Sequence, residues 1–199
     1  RFSIFHSTTN GRTVETDVLD ALLRYRSNAG AQNEIVILDF HEFRNFTDEG
    51  HRQLAQLIHR KLGGQLIPRS CMPVAIRQLW ALGRNTVIAY HKDTSEPFWK
   101  GVDQRWIGSN TPSKNEMAKF IDKVGDESKD FGKLRSIQAA YYSLPFFVPK
   151  DISAEIMQWF AAGNSGHPIQ RHYIINTDWS LRHRLVDNII FGNGVRAEE

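Results

Sequence analysis

Cysteine is nearly absent from this chain. Cys71 stands alone in 199 residues, so no internal disulfide is possible and thiol content leaves the compartment open. Long apolar runs are missing as well, and none approaches the roughly 20 residues that a bilayer-spanning helix needs. Lysine and arginine never gather into a block. With a formal net charge of +3 the chain is only mildly basic, which argues against a nucleic-acid partner. An anionic ligand, a membrane surface or an ordinary solvated face remain as readings of that charge. No internal repeat, low-complexity tract or linker divides the chain. Several catalytic signatures are lacking too. There is no Walker-type glycine loop to cradle phosphate and no Gly-x-Ser-x-Gly elbow. His41-Glu42 lacks the second histidine of a zinc-binding HExxH, and His51 and His59 fall eight apart on one helix, so no metal site is expected. The chain opens on Arg1 rather than methionine. It is expected to be part of a longer protein, with any signal peptide upstream.

What is present is a pattern. Three short apolar runs each end in a histidine: residues 2–5 before His6, residues 35–40 before His41, and residues 87–90 before His91. β-Branched and aromatic residues dominate these runs, which read as buried strands. Helical periodicity fills the gaps. Val14, Val18, Leu19, Leu22 and Leu23 share a face over 13–27, and Thr47 is positioned to cap a helix over 48–62 that stops at Gly63-Gly64. Pro73 suits a first helical turn running on to Gly83. Ser113-Lys114-Asn115-Glu116 is a capping box, and 153–162 is again helical. Further strands are expected at 105–107, 134–142 and 188–191. The alternation predicts an α/β fold with a parallel sheet and helices outside, about six βα units in all. A complete eight-unit barrel takes about 250 residues, so the expected architecture is an incomplete TIM (β/α)8-like barrel.

The strand Glu34-Ile35-Val36-Ile37-Leu38-Asp39-Phe40-His41, followed by a helix and later by Val87-Ile88-Ala89-Tyr90-His91, resembles the X domain of phosphatidylinositol-specific phospholipase C. The short, single-domain X-domain proteins are the nearer likeness. The resemblance covers most of the chain. It takes in the opening strand before Thr13-Val14-Glu15, the Leu79-Trp80 helix, the Trp106 segment before the capped helix, the strand with Gln138, and Asn188-Ile189-Ile190 near the end. It implies that residues 1–199 form the C-terminal portion of one barrel domain. It also implies a phosphodiesterase that releases an inositol headgroup from diacylglycerol by histidine acid–base chemistry.

In that family one histidine activates the inositol 2-hydroxyl and another protonates the glyceride oxygen. His6 matches the second. The first, with its Asp-x-Arg segment, is expected upstream, so the chain by itself is expected to be inactive. Asp39 and His41 are two apart in one strand and point to the same side. Calcium-dependent members carry an acidic ligand at the position matched by His41. An imidazole serves calcium poorly, so no cofactor and no calcium requirement are expected, Glu42 being the nearby alternative ligand. Gln138, Tyr142 and Asn193 complete the expected substrate contacts. His91 is expected to be structural. The implied partner is a phospholipid, with transient membrane-surface contact. Phe98-Trp99 and Phe146-Phe147 follow strands and would either enter the headgroup layer or plug the barrel rim. A catalytically silent lipid- or headgroup-binding barrel is the main alternative. A glycerophosphodiesterase-like or metal-dependent TIM-barrel hydrolase is another.

Overall fold

A computed structural model describes the chain except for residues 7, 29, 109–112, 144–147, 164–166, 179–181, 183 and 199; for His6, Ser143, Ala197 and Glu198 it describes the backbone alone. It divides into two compact units, Arg1–Val102 and Asp103–Glu199.

In the first unit, β1 (Ser3–His6) and β2 (Thr8–Thr13) form an antiparallel hairpin. A π-helical turn, Val14–Leu19, leads into α1 (Asp20–Arg26). Thr13 caps it, its hydroxyl accepting from the Thr16 N–H at 3.3 Å. Next come β3 (Val36–Phe40), α2 (Asp48–Leu62), α3 (Ile76–Ala81) and β4 (Thr86–Tyr90). Strand β5 (Trp99–Arg105) begins in this unit and ends in the other. β3, β4 and the start of β5 are parallel, with Val36 beside Thr86 and Ala89 beside Trp99. The core joins Val14, Leu19 and Leu22 to the α2 stripe Leu54, Leu57, Ile58 and Leu62, and to Ile88 and Tyr90 of β4. α2 starts and stops where its local signals direct. Thr47 accepts from the Gly50 N–H at 3.1 Å, and the helix closes before Gly63.

In the second unit, α4 (Lys114–Asp126) carries both hydrogen bonds of the capping box between Ser113 and Glu116. It is followed by β6 (Lys133–Gln138), the two-residue strands β7 (Tyr142–Ser143) and β8 (Val148–Pro149), α5 (Ser153–Trp159), α6 (Pro168–Arg171), β9 (Ile174–Asn176) and α7 (Leu185–Glu198). β6 and β9 are parallel. Met117, Ile121, Val124, Ile137, Ile156 and Phe160 build this unit's core.

The parallel strands follow the order β3-β4-β5-β6-β9 with helices between them. The chain is therefore mixed α/β, consistent with an incomplete TIM-like barrel. Two of the expected strands have a different fate. Residues 3–6 are extended, but they pair with the threonine-rich segment 8–13 rather than joining the parallel sheet. Residues 188–191 are helical, part of α7. The adjacent isoleucines favour a strand locally, yet the anchors of this segment recur at helical spacing. Leu185 is buried and Ile189 packs on the core. The Asn188 amide donates to the Phe160 carbonyl at 3.0 Å, Gly192 accepts from the Gln170 amide at 3.1 Å, and Arg196 donates to the Ile169 carbonyl at 2.8 Å. Anchors at 188, 192 and 196 share one helical face. The sheet takes instead the longer β5, which starts at Trp99, and β9. Among the described residues no helix is long and apolar enough to cross a membrane.

Candidate functional site

Strands β3 and β4 run parallel with Phe40 beside Tyr90, and the His91 N–H donates to the Phe40 carbonyl at 3.0 Å. His41 and His91 therefore leave neighbouring strands at the same level. Asp39, two residues before His41, faces the same side. Its Oδ2 lies 3.5 Å from His41 Nδ1 and its Oδ1 lies 3.4 Å from His91 Nε2. The Val102 N–H also donates to Oδ1 at 3.2 Å. The two imidazole rings meet edge to face, 6.2 Å between centroids. Only 16% of the Asp39 side chain is exposed, against 53% for His41 and 34% for His91. One well-covered carboxylate thus sits between two rings that solvent reaches. These separations are longer than good hydrogen bonds.

A cavity of about 550 Å³ opens beside this strand end, within the usual range for small-molecule sites. Phe2, Phe5, Leu38, Phe40 and Phe43 supply apolar wall, while Asp39, His41, Glu42 and Arg44 supply its charged and titratable groups. β1 therefore forms part of the wall, and His6 ends that strand. The His6 side chain lies outside what is described. Arg44 stacks 4.2 Å over the Phe5 ring and pairs with Glu42 at 3.3 Å. Glu42, the alternative calcium ligand, is thus engaged by a guanidinium. Among the described residues no group of three or more His, Cys, Asp or Glu side chains is placed to hold a metal.

The expected contacts from the second unit divide. The Gln138 amide donates to the Tyr142 hydroxyl at 3.1 Å. Asn193 does not follow a strand, as expected, but sits exposed on α7, its side-chain oxygen accepting from Arg196 at 3.0 Å. The aromatic pair Phe98-Trp99 is not offered to a lipid surface. Trp99 is buried in β5 with its indole N–H donating to the Ile67 carbonyl at 2.8 Å, and Phe98 packs on the core. Phe146 and Phe147 fall outside the described residues.

Three features escaped sequence reasoning. His91 joins Asp39, a contact signalled only by two strands that both end in histidine. His51, on α2, shares a hydrogen bond of 3.0 Å with the Tyr90 hydroxyl. Burial pushes the Tyr90 phenol up to about 12. Burial and then the Lys92 charge lower the His51 pKa, with Asp48 opposing. His59, two turns further along the helix, pairs with Glu96 at 2.6 Å.

No family model matches the chain, and no solved structure matches it significantly. Among curated proteins, PI-PLC X domain-containing protein 1 of Homo sapiens is 31% identical over 95 residues, which is 46% of this chain and 28% of that relative. The match thus spans less than a third of the relative's own length. It supports a relationship between this chain and the PI-PLC X domain, the family that the ordered strand-end motifs resemble.

Proposed function

We propose that this chain is part of a phosphoric diester hydrolase of the phospholipase C type, acting on a phosphoinositide or a related phospholipid headgroup. One observation carries the reading: Asp39 stands between His41 and His91 at the ends of two parallel strands, on the rim of a cavity with apolar walls. Strand carboxyl ends are where α/β folds build their sites. Cleaving a phosphodiester requires an attacking hydroxyl to lose a proton and a leaving alkoxide to gain one. Supplying the second proton in the transition state is worth roughly 10²–10⁴-fold. His6 takes that role by resemblance, at the end of a strand that borders the cavity. His41 and Asp39 bind the headgroup, His41 by donating to a phosphate or hydroxyl oxygen. Asn193 is not carried into this reading, because its helix holds it against Arg196.

The reaction runs without calcium. A hard cation takes oxygen ligands, and the position matched to the family's acidic ligand is an imidazole. Contact with the membrane surface is transient and serves to reach the lipid. The test is headgroup release from phosphatidylinositol vesicles by the full-length protein, with and without chelator. Release that a chelator leaves unchanged and that His6→Ala lowers at least about 100-fold supports the reading. Binding of the headgroup with no release points to the silent barrel. Loss of release on chelation points to a metal-dependent hydrolase.

A further inference from the structure

A second cavity, of about 420 Å³, adjoins the one at the end of β3. The two share a wall, for Phe2, Ser3, Phe5, Arg44 and Phe46 border both. We propose that this second cavity is an anion site that takes a phosphate monoester, with Arg44 as its principal ligand. As a route to substrate choice the inference rests on the phosphodiesterase reading above. As a site for phosphate it stands on the observations that follow.

The lining sets this cavity apart. Asp39 and Glu42 line the first cavity, whereas among the described residues no carboxylate lines the second. Two guanidiniums do, those of Arg1 and Arg44, together with the Thr8 and Thr9 hydroxyls and the Asn45 amide. The acids nearest in sequence are engaged elsewhere. Glu49 accepts from Arg52 at 3.0 Å and from Gln53 at 2.8 Å, and Asp48 pairs with Lys92 at 3.4 Å. A cleft lined by charge of one sign concentrates ions of the other.

Arg44 is held so that part of its guanidinium remains to donate. The group stacks 4.2 Å over the Phe5 ring, and Nε and Nη2 both donate to one Glu42 oxygen at 3.3 Å. Among the described residues nothing bonds Nη1. One edge of the fork is thus fixed, and the edge between Nη1 and Nη2 can meet two phosphate oxygens side by side. Thr9 stands directly across the hairpin from Phe5, so its side chain rises on the face that carries the Phe5 ring. Its hydroxyl supplies a further donor there. Arg1 is steadied by its Nη2 donating to the Gly11 carbonyl at 3.5 Å. Because Glu42 offsets part of the Arg44 charge, phosphate should bind at about millimolar concentration.

The experiment uses the full-length protein, inorganic phosphate, and two soluble inositol phosphodiesters that differ only in a phosphate monoester on the ring. Phosphate binding is followed by phosphorus NMR. Arg44→Gln should weaken it at least about tenfold, as the loss of a charge-assisted hydrogen bond implies. Thr9→Glu sets a carboxylate in the cavity from an exposed strand position and should weaken it as much while leaving the Arg44 stack in place. Far-UV ellipticity checks that each variant folds. If the monoester belongs to the headgroup, wild type prefers the phosphorylated ester at least about tenfold in kcat/KM. That preference then vanishes in both variants, and free phosphate competes with the phosphorylated ester alone. If the site serves the free ion, phosphate binds with the same dependence on Arg44 and the two esters are cleaved alike. Either result supports a phosphate site, and the two differ in its source. No phosphate binding by wild type and no preference between the esters overturns the proposal. Binding that a folded Arg44→Gln or Thr9→Glu leaves within about twofold of wild type overturns it as well. Wild-type protein that binds phosphate yet cleaves neither ester leaves the site standing and overturns the phosphodiesterase reading.

Discussion

Replacing Trp99 with alanine separates two fates for an aromatic residue that sequence pattern left open. The side chain is buried and its indole N–H donates to the Ile67 carbonyl. Burying a tryptophan removes about 150–250 Å² from water, of which alanine retains a part. A net loss of about 150 Å² at roughly 25 cal/mol per Å² is about 4 kcal/mol. Losing the donor to Ile67 adds about 1 kcal/mol. The sum is comparable with the whole stability of a small domain, about 5–15 kcal/mol. Trp99→Phe keeps most of the area and loses the donor, so its cost is about 1–2 kcal/mol. The assay is urea unfolding followed by far-UV ellipticity. With a slope of about 2 kcal/mol per molar, alanine should move the midpoint down by about 2.5 M, or leave no folded baseline. Vesicle partitioning of Trp99→Phe should equal that of wild type. An alanine variant within about 1 kcal/mol of wild type would refute the burial argument, and so would a phenylalanine variant that folds normally but leaves the vesicles.

His172 is buried, and desolvation lowers its pKa to about 4 although the Ile121 carbonyl, 3.1 Å from Nε2, pulls the other way. Between about 4 and the ordinary value near 6.5 the unfolded chain holds the extra proton, so stability should fall as pH drops through that window. The full effect is roughly 3 kcal/mol, and acid unfolding of His172→Gln should show a flatter dependence there. Tyr90 behaves as the alkaline counterpart. Its phenol is pushed up to about 12 by burial, so the unfolded chain releases the proton first and stability should decline above about pH 10; Tyr90→Phe should abolish the late step in tyrosinate absorbance. Ser113→Ala removes a capping box, and faster amide exchange at the start of α4 with a loss of about 1 kcal/mol is expected.

Features set by neighbours in sequence were readable from sequence. α2 needs only Thr47 to close its first turn, an apolar stripe four residues apart, and glycines after Leu62. The box at Ser113 is as local. Features set by distant residues were not. The first strand was legible, but not its partner, because the polar segment Thr8-Thr9-Asn10-Gly11 has no apolar alternation to mark it as β. At 188–191 the propensity of two isoleucines opposed the contacts of Asn188, Gly192 and Arg196 with the α5–α6 region, and the contacts prevailed. Helix stability in proteins comes mostly from such packing rather than from propensity.

The candidate site divides along the same line. Asp39 and His41 could be placed on one side because a strand repeats every two residues. His91 was visible as a strand end, yet its value depends on two facts that no local pattern carries: the parallel register that sets Phe40 beside Tyr90, and a glycine ten residues later that leaves room for the ring. Gly101 looks ordinary in the sequence, between a lysine and a valine. In the structure it decides whether an imidazole can lie against β5 and reach a carboxylate on β3. A resemblance carries over the residues that match a family's motif, and it is silent where a chain departs from that motif. Here a histidine that the resemblance leaves aside, seated on a glycine beside Asp39, is the feature of the site with the most specific geometry. One methyl group at position 101 should displace that ring from the carboxylate.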